Sequence, residues 1–180
     1  MRRRARFGSE SGATLVEVLV SVLILSLGML SLSSMMAFTV QMPKLSGYRA
    51  TAANIAASHI ERIRGKRAGS ANGDYATASS YDGSFSPLAP VPCAFPTCTP
   101  SSLAIMDDAA TKQWARSALP AGGVLTSCNP DPCTPDSMGN IWIIWQEPKV
   151  RGWIDSASSD SCPTSFVNPR PRCLYARFKP

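Results

Sequence analysis

The six cysteines carry the most obvious chemistry in this chain, because thiolates bind metals and paired thiols form disulfides. All of them lie among prolines, serines and asparagines: Cys93, Cys98, Cys128, Cys133, Cys162 and Cys173. Zinc is the competing interpretation, but Cys-x4-Cys pairs surrounded by prolines lack the geometry of a zinc knuckle. An even number of cysteines in such loops favours disulfides in an oxidising compartment. The simplest connectivity pairs nearest neighbours, as Cys93–Cys98, Cys128–Cys133 and Cys162–Cys173.

Few other side chains could support catalysis or bind a cofactor. His59 is the only histidine, and its position on a helical apolar pattern predicts a packing or surface role rather than a catalytic one. Asp131 and Asp136 lack the alternating ligands and the glycine of a calcium loop, which favours a plain turn. No glycine-rich phosphate-binding motif occurs. We therefore expect a protein that is not an enzyme, with no metal site and no cofactor.

A carboxylate at the start of a long apolar run is the most unusual feature of the sequence. Glu17 directly precedes Val18–Met42, a stretch without any charged residue. As a helix this stretch is roughly 37 Å long, enough to cross a hydrocarbon core of about 30 Å. The arginine-rich start marks the cytoplasmic side, so the cysteines lie across the membrane. A carboxylate so close to hydrocarbon is costly unless it is paired, functional or placed among the lipid headgroups.

Ordinary targeting segments explain this run less well. A secretory signal has a shorter apolar core followed by an Ala-x-Ala site, and no such site precedes Pro43. A plain signal anchor fits the composition but gives Glu17 no role beyond lying near the headgroups. If the chain is cut after Gly12, the new amino group of Ala13 lies close to Glu17. The ammonium and the carboxylate can then neutralise each other between neighbouring molecules.

The short basic leader, Gly12 and the following Ala-Thr-Leu-Val-Glu17 resemble the class III signal of type IV pilins and pseudopilins. The resemblance implies cleavage between Gly12 and Ala13 by a prepilin peptidase, and methylation of the Ala13 amino group. It also implies that Glu17 acts in filament assembly. Ala13 departs from the usual first mature residue of the family, which is phenylalanine.

Residues 8–65 are most similar to minor pilins of the PilV type, the type IV pilus modification proteins, through Gly28-Met-Leu30 and the absence of proline before Pro43. The resemblance implies a subunit that is incorporated into a type IV pilus or primes its assembly, and that supports adhesion and twitching motility. Its partners would be other minor and major pilins, the prepilin peptidase, the inner-membrane assembly platform and inner-membrane lipid. The chain would cross the bacterial inner membrane once with a periplasmic head, and then join the pilus on the cell surface.

Nucleic acid is not an expected partner, although the net charge is +6. Four arginines lie in the first six residues, and a second basic cluster, His59–Arg67, has the position of cations at a helix C-terminus. Two alternatives of other kinds stay open. One is a minor pseudopilin of a type II secretion system, and the other is a membrane-anchored periplasmic protein that never polymerises.

The sequence predicts an α+β, type IV pilin-like fold, with a long N-terminal helix packed on a small antiparallel sheet and loops pinned by disulfides. A leader of residues 1–12 precedes a transmembrane and assembly helix, 13–42, and a periplasmic head, 43–180. In the head we expect an amphipathic helix, 44–65, a long loop, 66–105, and a helix with a sheet, 106–180. That second helix should begin at Asp107-Asp108 and end before Pro120. Apolar runs predict strands at 124–128, 141–146 and 173–178.

Overall fold

The computed structural model describes residues 14–94, 96–147, 160–163, 165–166 and 171–180. Within these ranges the chain is an α+β protein with three helices followed by three strands. The elements are α1 (Leu15–Gly65), α2 (Arg67–Ala71), α3 (Pro100–Ala118), β1 (Gly123–Asn129), β2 (Met138–Trp145) and β3 (Arg172–Phe178). The chain divides into two compact units, Met1–Lys44 and Leu45–Pro180.

Helix α1 continues through Pro43, which joins the two predicted helices into one, and ends at Gly65. Proline removes one backbone donor from a helix interior but does not oblige the helix to stop. Arg62 and Arg64 lie in the last turn, where cations interact favourably with the helix dipole. The first unit therefore contains the apolar part of α1, and the second contains its amphipathic part.

One face of α1 forms part of the hydrophobic core of the second unit. Ala52, Ile55, Ala56 and Ile63 recur at helical spacing and are at most 2% exposed. They belong to one cluster with apolar residues of α3 and of the sheet, among them Ala104, Ala115, Val124, Ile141, Ile143, Trp145 and Phe178. Burial of these side chains is the main force that holds α1 and the sheet together in this unit.

The sheet is antiparallel, with the strand order β1-β2-β3. β1 and β3 cover their predicted ranges, whereas β2 begins three residues earlier than predicted and ends one residue earlier, at Trp145. The central strand β2 carries Ile141, Ile143 and Trp145, which alternate along the chain and are at most 1% exposed. These three side chains lie on the face that enters the core, so the most apolar strand occupies the most protected position in the sheet.

The predicted loop over residues 66–105 is wrong at both ends. Helix α2 occupies Arg67–Ala71, and α3 begins at Pro100 rather than at Asp107. The side chain of Thr99 accepts a hydrogen bond from the Ser102 backbone, and the Ser102 side chain accepts one from the Thr99 backbone. This capping box, with proline in the first turn, starts the helix two turns earlier than the acidic pair suggests.

Three disulfides are present, and their connectivity is the nearest-neighbour one: Cys93–Cys98, Cys128–Cys133 and Cys162–Cys173. The second closes the connection between β1 and β2, and its Cys133 is fully buried. The third attaches the segment before β3 to the strand itself. Each bridge closes a short loop, so each restricts the unfolded chain locally rather than across the domain.

Gly139 gives a test of the sheet. It pairs with Phe178 across β2 and β3, and a Cβ at this position would lie only 2.4 Å from the Phe178 ring. Because Phe178 is only 3% exposed, the ring cannot move without disturbing the core. We expect Gly139→Ala to lower the free energy of unfolding by about 1–3 kcal/mol, measured by urea unfolding.

Gly47→Ala is the matched control for this variant. A Cβ at Gly47 meets nothing within 4 Å, and Gly47 lies inside α1. Alanine should therefore raise helix stability there by roughly 0.5–1 kcal/mol. Equal destabilisation by both substitutions would show that the Phe178 contact is not the cause.

Candidate functional site

The candidate site is the beginning of α1, where Glu17 lies in the first turn. The Glu17 backbone N–H donates to the Thr14 side-chain oxygen at 3.3 Å and to the Thr14 carbonyl at 3.0 Å. Thr14 is therefore the residue that caps the helix, and Thr14-x-x-Glu17 has the spacing of a capping box. A carboxylate in the first turn also interacts favourably with the positive end of the helix dipole. The local structure fixes Glu17 at the very end of the helix.

Apolar side chains cover α1 after Glu17 on all of its sides. Every large apolar residue described from Leu15 to Val40 is between 50% and 75% exposed. The helix is long and apolar enough to cross a membrane, by length and composition. So large a continuous apolar surface marks a lipid or protein contact, since soluble monomers rarely expose one. The site thus combines a carboxylate with an exposed apolar helix surface from Leu15 to Val40, called the apolar rod below, which lipid or protein would have to cover.

Hydroxyl groups within this rod are satisfied by the helix itself. Ser21, Ser26, Ser31, Ser33, Ser34 and Thr39 each donate to a backbone carbonyl three or four residues earlier, at 2.7–2.9 Å. Such bonds remove the need for water or for a partner at these positions. By contrast, the Glu17 carboxylate makes no hydrogen bond among the contacts described for this segment.

The other residues singled out from the sequence do not join this site. Gly12 and Ala13 lie outside the described residues. His59 is fully buried, in agreement with the predicted packing role. Asp131 and Asp136 are exposed, and no group of acidic, histidine or cysteine side chains that could hold a metal ion is found among the described residues.

Thr14 is the site residue that the sequence analysis missed. The signal was present, because threonine three residues before glutamate at the start of an apolar run is a recognised helix start.

No protein-family model matches this chain, and no curated protein or solved structure matches it either. The fold and the geometry of its own residues therefore carry the functional argument.

The basic cluster at the end of α1 is engaged in ion pairs within the second unit. Lys66 contacts Asp107 on α3, and Arg62 lies 4.0 Å from the same carboxylate. The Tyr75 hydroxyl donates to Asp107 at 3.2 Å, and burial together with this carboxylate raises the pKa of Tyr75. Arg64 pairs with Glu61 one turn earlier. These contacts give Arg62, Arg64 and Lys66 a structural role.

Arg116 on α3 is a buried cation of this unit. Its guanidinium donates to the carbonyls of Gly122 at 2.8 Å, Ser80 at 2.7 Å and Ser86 at 3.2 Å. It also pairs with Asp82 at 2.9 Å, and the pKa of Asp82 is lowered by the Ser84 backbone N–H and by Arg116. Arg116 thereby attaches the segment 80–86 and the turn before β1 to α3.

Proposed function

We propose that this chain is a minor pilin, of the type IV pilus modification kind, and that it has no enzymatic activity. The observation that carries the proposal is the combination of Glu17 in the first turn of α1 with a rod whose apolar side chains are exposed throughout. A folded head stabilised by three disulfides follows on the same helix. The leader sequence supplies the glycine and the spacing that a prepilin peptidase requires.

The mechanism follows from charge and hydrophobicity. The precursor lies in the bacterial inner membrane with its head in the periplasm, and the peptidase removes residues 1–12. The new amino group of Ala13 then pairs with Glu17, in the same subunit or in a neighbouring one. The apolar rods leave lipid and pack together in the filament, where packing supplies most of the cohesion and the charge pair sets the axial position.

The proposed partners are other minor and major pilins, which would cover the apolar rod. Before assembly the rod is covered by inner-membrane lipid and the inner-membrane assembly platform. We expect no nucleic-acid partner, and three cations of the basic cluster, Arg62, Arg64 and Lys66, form internal ion pairs. In the assembled pilus the chain would be at the cell surface and would support adhesion and twitching motility.

The mature N-terminus tests this proposal most directly. We expect mass spectrometry of the protein extracted from membranes to find a chain that begins at Ala13 and carries one methyl group. Gly12→Val is the control, because a bulky β-branched residue at the cleavage position should leave the full-length chain in the membrane.

An intact leader on the native protein would contradict the proposal and favour a membrane-anchored periplasmic protein that does not polymerise. A processed chain that is absent from sheared surface pili would favour the pseudopilin alternative. Genes for type II secretion beside its own gene would support that second outcome.

A further inference from the structure

His59 occupies a closed position between two helices of the second unit. It lies on α1, is 0% exposed, and its Nδ1 is 2.9 Å from the Thr111 hydroxyl on α3. Its ring meets the Tyr75 ring edge-on, with centroids 6.1 Å apart. The imidazole is thus a polar link between α1 and α3 that no solvent reaches.

The hydrogen bonds determine which nitrogen carries the proton. The Thr111 hydroxyl donates its single hydrogen to the Asp107 carbonyl at 2.8 Å, so it can only accept from His59. Nδ1 is therefore the protonated nitrogen of the neutral ring, and Nε2 carries the lone pair. Nε2 is buried and has no hydrogen-bond partner among the described residues. An unpaired lone pair on a buried nitrogen costs a moderate amount of free energy. An unpaired N–H group that also carries a positive charge costs much more.

We propose that His59 is an acid-sensitive joint of the head, whose protonation at Nε2 weakens the attachment of α1 to α3. The new N–H would find no acceptor, and the imidazolium would be deprived of water. Mild acid would therefore favour states in which His59 is exposed, and these open the apolar face of α1 around Ile55 and Ile63. The inference does not depend on the proposed filament role.

The titratable groups that face the ring come from every element packed against it: Arg62 on α1, Tyr75 after α2, and Asp107, Asp108 and Lys112 on α3. Tyr75 is uncharged, and the two cations balance the two carboxylates. Both carboxylates have other partners, namely Lys66 and Tyr75 for Asp107, and Lys112 and Thr77 for Asp108, and neither makes a described hydrogen bond to the ring. Neither is therefore placed to accept from Nε2.

Burial is the largest influence and lowers the pKa of His59 from 6.5 to about 4, although Asp108 opposes this shift. In the unfolded chain the ring binds its proton near pH 6.5, and in the folded head only near pH 4. Stability is thus fully present above pH 6.5 and falls between these two values. The folding equilibrium constant should drop about tenfold per pH unit, and about 300-fold over the window.

The ring can be observed directly, because His59 is the only histidine of the chain. We expect nitrogen NMR of the full chain in detergent micelles to show Nδ1–H with a bare Nε2, and no protonation of the folded state down to pH 5. An Nε2–H tautomer, or titration of the folded state at or above pH 6.5, would overturn the proposal.

Urea unfolding of the full chain between pH 7.5 and 4.5 gives the second readout. The amide of His59→Asn can still donate towards Thr111 but cannot be protonated, so its unfolding midpoint should lose most of the pH dependence seen in the parent. Thr111→Val is the matched control. It is expected to lower the urea midpoint at every pH but to keep the same dependence of the midpoint on pH. If the midpoints of the parent and of His59→Asn depended equally on pH, the inference would be wrong. If His59→Asn does not fold, the NMR result decides.

Discussion

Replacing Glu17 with alanine is expected to reduce the number of copies in sheared pili about tenfold or more, while membrane insertion stays unchanged. The physical reason is the charge of the Ala13 amino group, which would enter the filament without its partner. A loss of about 1.4 kcal/mol per subunit already accounts for a tenfold change in incorporation, and breaking a poorly solvated ion pair usually costs more than this. Quantitative immunoblots of sheared filaments and of membrane fractions measure the two effects separately.

Two further variants separate charge from helix capping. Glu17→Gln keeps the shape of the side chain and removes its charge, so it should behave like Glu17→Ala. Thr14→Ala removes the cap at the start of α1 but keeps the carboxylate, and should cost about 1 kcal/mol of helix stability with nearly normal incorporation. If Thr14→Ala were as defective as Glu17→Gln, the role of Glu17 would be structural and the charge-pairing mechanism would be wrong.

The second large effect is expected at Arg116, where Arg116→Met should lower the free energy of unfolding by about 3 kcal/mol. Methionine fills much of the same volume but leaves three carbonyls without their shared donor. The segment 80–86 would then detach from α3, and the turn that leads into β1 would lose its main polar anchor. Urea unfolding followed by tryptophan fluorescence, to which buried Trp145 contributes, measures this loss.

Neighbouring substitutions define how specific that effect is. Arg116→Lys keeps the positive charge but cannot reach three carbonyls with a planar fork, so we expect it to recover less than half of the lost stability. Ser117→Ala, on the exposed side of the same helix, should change stability by no more than about 0.5 kcal/mol. A small effect of Arg116→Met would mean that the segment 80–86 is held by its contacts with β1 instead.

The three strands and the amphipathic half of α1 were predictable from the sequence, because apolar runs mark the strands and apolar residues recur at helical spacing in α1. β2 shows this best, since its apolar run contains Ile141, Ile143, Ile144 and Trp145, which are all buried. α1 ends at Gly65, and glycine at the end of a helical pattern is a stop signal that is equally visible in the sequence. These features depend on residues close together in the chain, which is why a sequence pattern contains them.

The start of α3 was not predictable in the same way, because two competing signals lie close together. Asp107 and Asp108 have the composition of a first turn, but they lie well inside the helix and are buried against cations and hydroxyls from distant segments. Their partners, such as Lys66 and Thr77, come from parts of the chain that no local pattern connects. The same is true of Arg116, whose three carbonyl partners lie outside its own helix.

At the candidate site the sequence predicted the exposed apolar rod and the unusual carboxylate but not the role of Thr14. Cleavage at Gly12 and methylation of Ala13 stay predictions. The spacing of Gly12 and Glu17 is the part of the site that only the sequence provides, and the placement of Glu17 in the first turn is the part that only the structure provides.

The inward hydrogen bonds of the serines have a mechanical consequence for any bundle built from this helix. Because those hydroxyls donate to carbonyls of their own helix, interhelical hydrogen bonds from this flank would contribute little to the axial register of such a bundle. The carboxylate at the start of the helix would then be the polar group best placed to fix the relative height of neighbouring subunits.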